Sequence, residues 1–217
     1  MDARALKLWQ LISPTLPVGA YSYSQALEYV IESGDVRGEA GALAWIAGVL
    51  EQGIAAADLP ILLRVHRARG AGDVDAVRRW STVLGALRET SELRLEDLAM
   101  GGALAQLVEA LGTPALPRPL PFASAFAIAC ADWSIAGDDA CTGYAWAWCE
   151  AQVAAAVKLV PLGHTSGQRS LLALGERIPR VVERSLAVGD DDIGLSLPGL
   201  AIASARHETQ YTRLFRS

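Results

Sequence analysis

The chain has 217 residues, a formal charge of −5, 52% hydrophobic and 20% charged residues, and a mean hydropathy of +0.25. That balance excludes general nucleic-acid binding, which calls for a basic surface, and no uncharged apolar run reaches the ~18 residues of a membrane span. For a soluble protein the chain is apolar, so either its core is large or partners cover part of its surface.

The periodicity is helical along almost the whole chain. Residues 1–12 begin Met-Asp-Ala-Arg and lack the layout of a secretory signal, which places the expectation in the cytoplasm. A first short helix ends at Ser13-Pro14, and Leu16-Pro17-Val18-Gly19 stiffens the loop that follows. Leu43, Ile46, Ala47, Leu50 and Ile54 keep one helical face, while Trp45 and Val49 lie off it, as in a central helix apolar on more than one side. Gly70 and Gly72 make a turn, with Asp73 placed to cap a helix striped by Val77, Trp80, Leu84 and Leu87. Met100, Leu104, Leu107, Val108 and Leu111 form the next stripe.

Pro114, Pro117, Pro119 and Pro121 then make a stiff connector. It could divide two domains, but packing of both helical halves into one is the favoured reading. Asp138 or Asp139 is placed to cap a long helix toward Pro161, and 189–194 reads as a solvated loop. Ser196 and Pro198 open the last helix, as N-cap and first-turn proline. Period-2 alternation is absent, so the fold class is all-α, a single globular helical bundle. Cys130, Cys141 and Cys149 are odd in number without a CxxC pair, and read as buried small apolar residues rather than a disulfide framework.

The last twelve residues stand apart. Arg206, Arg213 and Arg216 against Glu208 give the segment +2, leaving −7 on the remainder. Tyr211, Leu214 and Phe215 would share one face if the helix continued. A cationic, aromatic-tipped segment on an acidic body implies docking, onto itself or onto a partner helix-in-groove. The division is therefore a body of residues 1–205 and a docking tail of residues 206–217.

Catalytic motifs fail one by one. His207-Glu208 begins a zinc-protease pattern, but Tyr211 occupies the place of the second histidine. Gly163–Ser170 lacks the spacing and lysine of a phosphate loop. Asp190–Asp192 has no second acidic cluster, and no Gly-x-Ser-x-Gly elbow exists. His66, His164 and His207 lie on separated segments, so a metal site would have to be composite, for example His164, His207 and a cysteine. No cofactor or metal ligand set is assigned. The competing reading is an all-α enzyme with a composite acid/base or metal site that joins Glu28, Lys158 or the histidines. An arginine finger for a GTPase is a third, and no residue identifies one.

Four blocks, in order and spanning nearly the whole chain, carry a resemblance: Leu16–Glu28 (LPVGAYSYSQALE), Arg88–Arg94 (RETSELR), Val157–Gly163 (VKLVPLG) and Ile202–Ser217 (IASARHETQYTRLFRS). Together they resemble the urease accessory protein UreF family. The resemblance implies a fold of roughly ten helices, a homodimer, and an adaptor rather than an enzyme. It implies a complex with UreD (also called UreH) and the GTPase UreG that delivers nickel to apo-urease and couples GTP hydrolysis to metal loading. By the same resemblance Arg206, His207, Tyr211, Arg213, Leu214, Phe215 and Arg216 face UreD, with Tyr21 supporting that surface. Glu28 and Lys158 match positions tied to the UreG-facing side and to metallation fidelity. Ala20 and Ala26 depart from glycines usual in the family, and His164 stands where Gln is usual. An alanine in place of glycine costs only where φ must be positive, and Ala20 is the position where that is expected to matter.

Overall fold

The computed structural model describes residues 2–194 and 196–217, with the side chain of His164 outside the described part. The composite metal reading draws on His164, and to that extent lies outside the described residues. Among the described residues there are eleven α-helices and no β-strand, packed around one apolar core.

The first helix, α1 (Ala3–Leu11), takes an Asp2 cap whose side chain accepts from the Arg4 amide. It ends where the prolines require. A 3-10 turn at Ala20–Ser22 follows, then the short α2 (Leu27–Glu32). Next comes a continuous helical rod, Gly38–Gly70, made of α3 (Gly38–Val49), a π-helical segment Leu50–Asp58, and α4 (Leu59–Gly70). The stripe through Leu50 and Ile54 fits ordinary helix, and spacing over two turns does not separate the two periods. Widening frees a carbonyl, and that of Ala56 accepts from the Gly194 amide at 3.1 Å. An 18-residue window of the rod is apolar enough to cross a membrane, but 78% of it is buried inside the bundle. Its hydrophobicity is spent on the core: Ile46, Leu50, Leu59, Ile61 and Leu62 are almost wholly enclosed.

Helix α5 (Val74–Ala86) is capped by Asp73, whose Oδ1 accepts from the Ala76 amide at 2.9 Å. Helix α6 (Ser91–Ala110) is capped by Thr90. The proline connector then folds back across α6 rather than separating domains. Gly101 makes the crossing possible, since a Cβ there would stand 1.9 Å from the Leu120 carbonyl oxygen. Helix α7 (Phe122–Asp132) is buried from Ala123 to Cys130 and packs chiefly on α4 and α6.

Helix α8 (Gly137–Leu159) starts from Ala136, so Asp138 and Asp139 are first-turn residues favouring the helix dipole rather than caps. The three cysteines are free and buried, and burial pushes the Cys141 and Cys149 thiols up to about 12. Helices α9 (His164–Gly175) and α10 (Ile178–Leu186) close one side. A 3-10 turn at Asp190–Asp192 replaces the simple loop, and Arg64 pairs with Asp190. Helix α11 (Pro198–His207) carries the chain across the 205/206 boundary. Leu197 is its N-cap, and the Ser196 hydroxyl donates instead to Glu89 at 2.6 Å.

Candidate functional site

The expectation of a continued helix in the last residues fails. Residues 208–217 have no helical structure and lie as an irregular strap on α2, α6 and α8. The physical reason is the set of acceptors beneath it. A helix would satisfy the Leu214 and Phe215 amides internally, whereas here both donate to the Glu28 carboxylate, at 2.6 and 2.9 Å.

Glu28 is the centre of this seam. It sits in the first turn of α2 with its side chain 8% exposed. Besides the two amides it faces His207 Nε2 at 3.1 Å, while His207 Nδ1 faces Glu92 Oε2 at 2.7 Å. Each ring nitrogen of His207 therefore has a carboxylate as its partner. His207 has no exposed surface, so the ring's hydrogen-bonding capacity is fully used. Arg213 adds a partly exposed ion pair to Glu92. Glu208 turns back to accept from the Ser91 hydroxyl at 2.6 Å and the Glu92 amide at 3.3 Å, at the start of α6. The Ser91 bond in particular holds the Glu208 carboxyl below its ordinary range.

Further along, Phe215 is buried and Lys158 Nζ lies 5.5 Å from its ring centroid. The Arg216 amide donates to the Ser22 carbonyl at 2.9 Å. The Ser24 amide and hydroxyl both donate to the Ser217 carbonyl, at 2.8 and 2.6 Å. The Ser217 hydroxyl donates to Glu96 at 2.6 Å. Burial pushes the Glu96 carboxyl up to about 7, against the Ser217 and Gln25 hydrogen bonds that favour its charged form.

The seam divides the singled-out residues into two sets. Glu28, His207 and Phe215 face inward and hold the strap. Tyr21, Arg206, Tyr211, Arg213, Leu214 and Arg216 are exposed, Tyr211 completely and Tyr21 by 72%. Lys158 is exposed at the end of α8 with its ammonium over the strap. The strained backbone is not at Ala20, which lies in the 3-10 turn, with the positive φ carried by Gly19 at 79°. It is at Gln25 (φ 50°) and Ala26 (φ 64°), two consecutive non-glycine residues in the left-handed region.

A second polar cluster lies deeper. Arg88 donates to Asp97 at 2.7 Å and to both oxygens of Asp58, at 2.5 and 3.1 Å. The Tyr144 hydroxyl donates to Asp58 at 3.0 Å, and the Phe122 amide to Asp97 at 2.8 Å. Burial alone would lower the Arg88 pKa, but Asp58 and Asp97 overturn this and hold it well above its usual value. This cluster borders a cleft of about 450 Å³ whose walls include Tyr21, Gln25, Arg88, Glu96, Trp148 and Leu197.

The sequence reading missed Glu92, Glu96, Asp58, Asp97 and Tyr144. Glu92 lies inside the quoted Arg88–Arg94 block, the one signal that could have drawn attention to it. Of the groups in the composite-site reading, the structure joins Glu28 and His207, and it sets Lys158 above Phe215. Glu28 is taken up by the strap amides and His207, and the other His207 nitrogen by Glu92, while Lys158 stays exposed. Among the described residues no group of three or more His, Cys, Asp or Glu side chains is arranged to hold a metal ion.

Fold and seam together define an all-α domain that clamps a short irregular segment of its own chain with buried carboxylates and leaves that segment's Tyr211 and Leu214 to solvent. The UreF family model matches residues 36–175. Urease accessory protein UreF of Alkalilimnicola ehrlichii is 48% identical over 219 residues, covering 97% of this chain and 95% of its own. That of Teredinibacter turnerae is 48% identical with both chains fully covered, and that of Chromohalobacter salexigens 47% identical with 97% and 93% covered. The chain belongs to the UreF family of urease accessory proteins.

Proposed function

We propose that this chain acts without catalysis, as a cytoplasmic homodimeric adaptor between UreD (UreH) and the GTPase UreG, in a complex that delivers nickel to apo-urease and couples GTP hydrolysis to metal loading. The observation that supports the reading is the two-sidedness of the strap. Its backbone and Phe215 are spent on the body, while Tyr211, Leu214, Arg213 and Arg216 remain exposed beside Tyr21. A fully exposed tyrosine and a largely exposed leucine on a segment held in place have the character of anchors awaiting a partner. On this reading residues 206–217 are the docking element for UreD, and His207 and Phe215 support it from beneath. Glu28 and Lys158 act on the UreG side and on fidelity through the strap they hold, since the Glu28 carboxylate is buried.

The test is co-purification with UreD and UreG followed by sizing of the product. The double variant Tyr211→Ala, Leu214→Ala removes two exposed side chains and none of the seam's bonds. It is expected to keep the wild-type melting transition and to lose at least tenfold in affinity for UreD. Unchanged recovery of UreD with this variant would remove the strap as the docking element. In the assembled complex Lys158→Ala is expected to alter GTP turnover or urease metallation. If neither changes, the fidelity role fails for that position.

A further inference from the structure

A hydrogen-bonded route runs from the end of the strap to the wall of the cleft. The Ser217 hydroxyl donates to Glu96 Oε2 at 2.6 Å, and Gln25 Nε2 donates to Glu96 Oε1 at 2.7 Å. The Trp148 indole N–H donates to Gln25 Oε1 at 2.8 Å. Gln25, Glu96 and Trp148 all line the cleft, and Ser217 does not. The middle of the route is strained. Gln25 and Ala26 hold φ values of 50° and 64°, a conformation that persists only where the surroundings over-determine it. Ala26 is packed in the core, and the contacts that tie the turn to other segments are identifiable. Ser24 is fixed by two bonds to the Ser217 carbonyl, and the Gln25 side chain is fixed between Glu96 and Trp148. Three of these five contacts to the Ser24–Ala26 turn and to Glu96 come from Ser217 itself.

We propose that seating of Ser217 sets the conformation of the Gln25–Ala26 turn and, through the Gln25 amide, fixes Trp148 in the cleft wall, so that the strap and the cleft are one coupled device. When the end of the strap leaves its seat, the Ser24 amide and hydroxyl lose the acceptor they share and Glu96 loses a donor. The turn then relaxes toward ordinary backbone, which withdraws the acceptor from the Trp148 indole and loosens that wall. Linkage makes the effect reciprocal: anything that wedges Trp148 aside weakens the seat of Ser217. This holds whatever protein the exposed face of the strap binds, so it stands or falls separately from the UreD reading.

The full chain with ¹⁵N-labelled tryptophan gives one indole N–H signal for each of six tryptophans, and Trp148→Phe assigns the one of interest. Ser217→Ala removes the hydroxyl that donates to Glu96, the bond of the seat nearest Gln25, and leaves the Ser24 bonds to the Ser217 main-chain oxygen and every core side chain in place. Hydrogen exchange of the Trp148 indole is expected to accelerate about tenfold in this variant, the size of one lost hydrogen bond, with the other five unchanged. In a Gln25→Ala background the Trp148 indole already exchanges fast, and adding Ser217→Ala is expected to change nothing. Gln210→Ala breaks a strap contact to Glu32 that lies off the route, and is expected to leave Trp148 unaffected. Unaltered Trp148 exchange in Ser217→Ala overturns the proposal. So does an equal acceleration with Gln25 already removed, or an acceleration by Gln210→Ala.

Discussion

Two buried polar clusters meet on α6, where Asp97 belongs to one and Glu92 and Glu96 to the other, and do different work. In the deep one, Arg88 is gripped by Asp58 at the end of the π segment and by Asp97 on α6, with Tyr144 of α8 completing Asp58. Most of its members are side chains on helices whose apolar faces are packed into the core. In the seam, Glu28 is satisfied largely by backbone amides of a segment with no secondary structure and one buried large side chain, Phe215. Charge-assisted hydrogen bonds of similar length occur in both. What differs is what stands behind them. The deep cluster cannot open without separating helices, whereas the seam can open by peeling off ten residues. The same chemistry therefore fixes the fold in one place and holds a detachable piece in the other.

The largest expected effect comes from breaking the deep cluster. Arg88→Met fills much of the volume but leaves Asp58 and Asp97 buried without their cation. A loss of about 3–5 kcal/mol is expected, as for other buried pairs deprived of one partner. It should appear as a lower urea midpoint for the whole chain in one transition. Glu28→Ala leaves the Leu214 and Phe215 amides without an acceptor and His207 with one carboxylate. Here about 3 kcal/mol is expected locally, read as roughly 100-fold faster exchange of those two amides, while the melting temperature of the body moves little. If Glu28→Ala lowers the midpoint as far as Arg88→Met does, the strap is integral to the fold and the contrast between the clusters collapses.

The helical architecture was legible because it rests on periodicity: the stripes through Ile46, Leu84 and Leu104 are all core-facing, and these residues are buried. The π segment was not, because a few inward side chains satisfy either helical period. The inward and outward division of the last residues was half legible. Composition marked Tyr211, Leu214 and Phe215 as a docking set, but assigning them one helical face assumed that the helix continues. It stops because Glu28 offers the amides a better acceptor, and that acceptor lies 186 residues away in sequence from Leu214. Separations of 115 and 121 residues likewise hid Glu92 and Glu96, which on α6 look like ordinary solvent-facing acids. The strain was assigned to the wrong one of the two alanines that depart from family glycines: Gly19 already supplies the positive φ of its loop and leaves Ala20 unstrained, while Ala26 and its neighbour Gln25 carry it.

Glu96 and Asp97 are adjacent on α6 and face different clusters, Glu96 toward the strap and Asp97 toward Arg88. Burial raises both carboxyls, but only Asp97 has a cation against it in direct contact. Glu96 has two neutral donors and is pushed up to about 7 from an ordinary 4.5. A folded-state pKa above the unfolded one means that the folded chain favours the protonated form. The stability that Glu96 contributes is therefore fully present below about pH 4.5 and is withdrawn as the pH rises through about 7. Glu96→Gln keeps the shape and stays neutral at every pH. Between pH 5 and pH 8 the wild type is expected to lose on the order of 2 kcal/mol relative to this variant, measured as the difference of their urea unfolding free energies. The exchange of the Ser24 amide, which donates to Ser217, should rise with pH in the wild type more steeply than in Glu96→Gln. A parallel pH dependence for the two proteins would place the charge of Glu96 outside the balance that seats the strap.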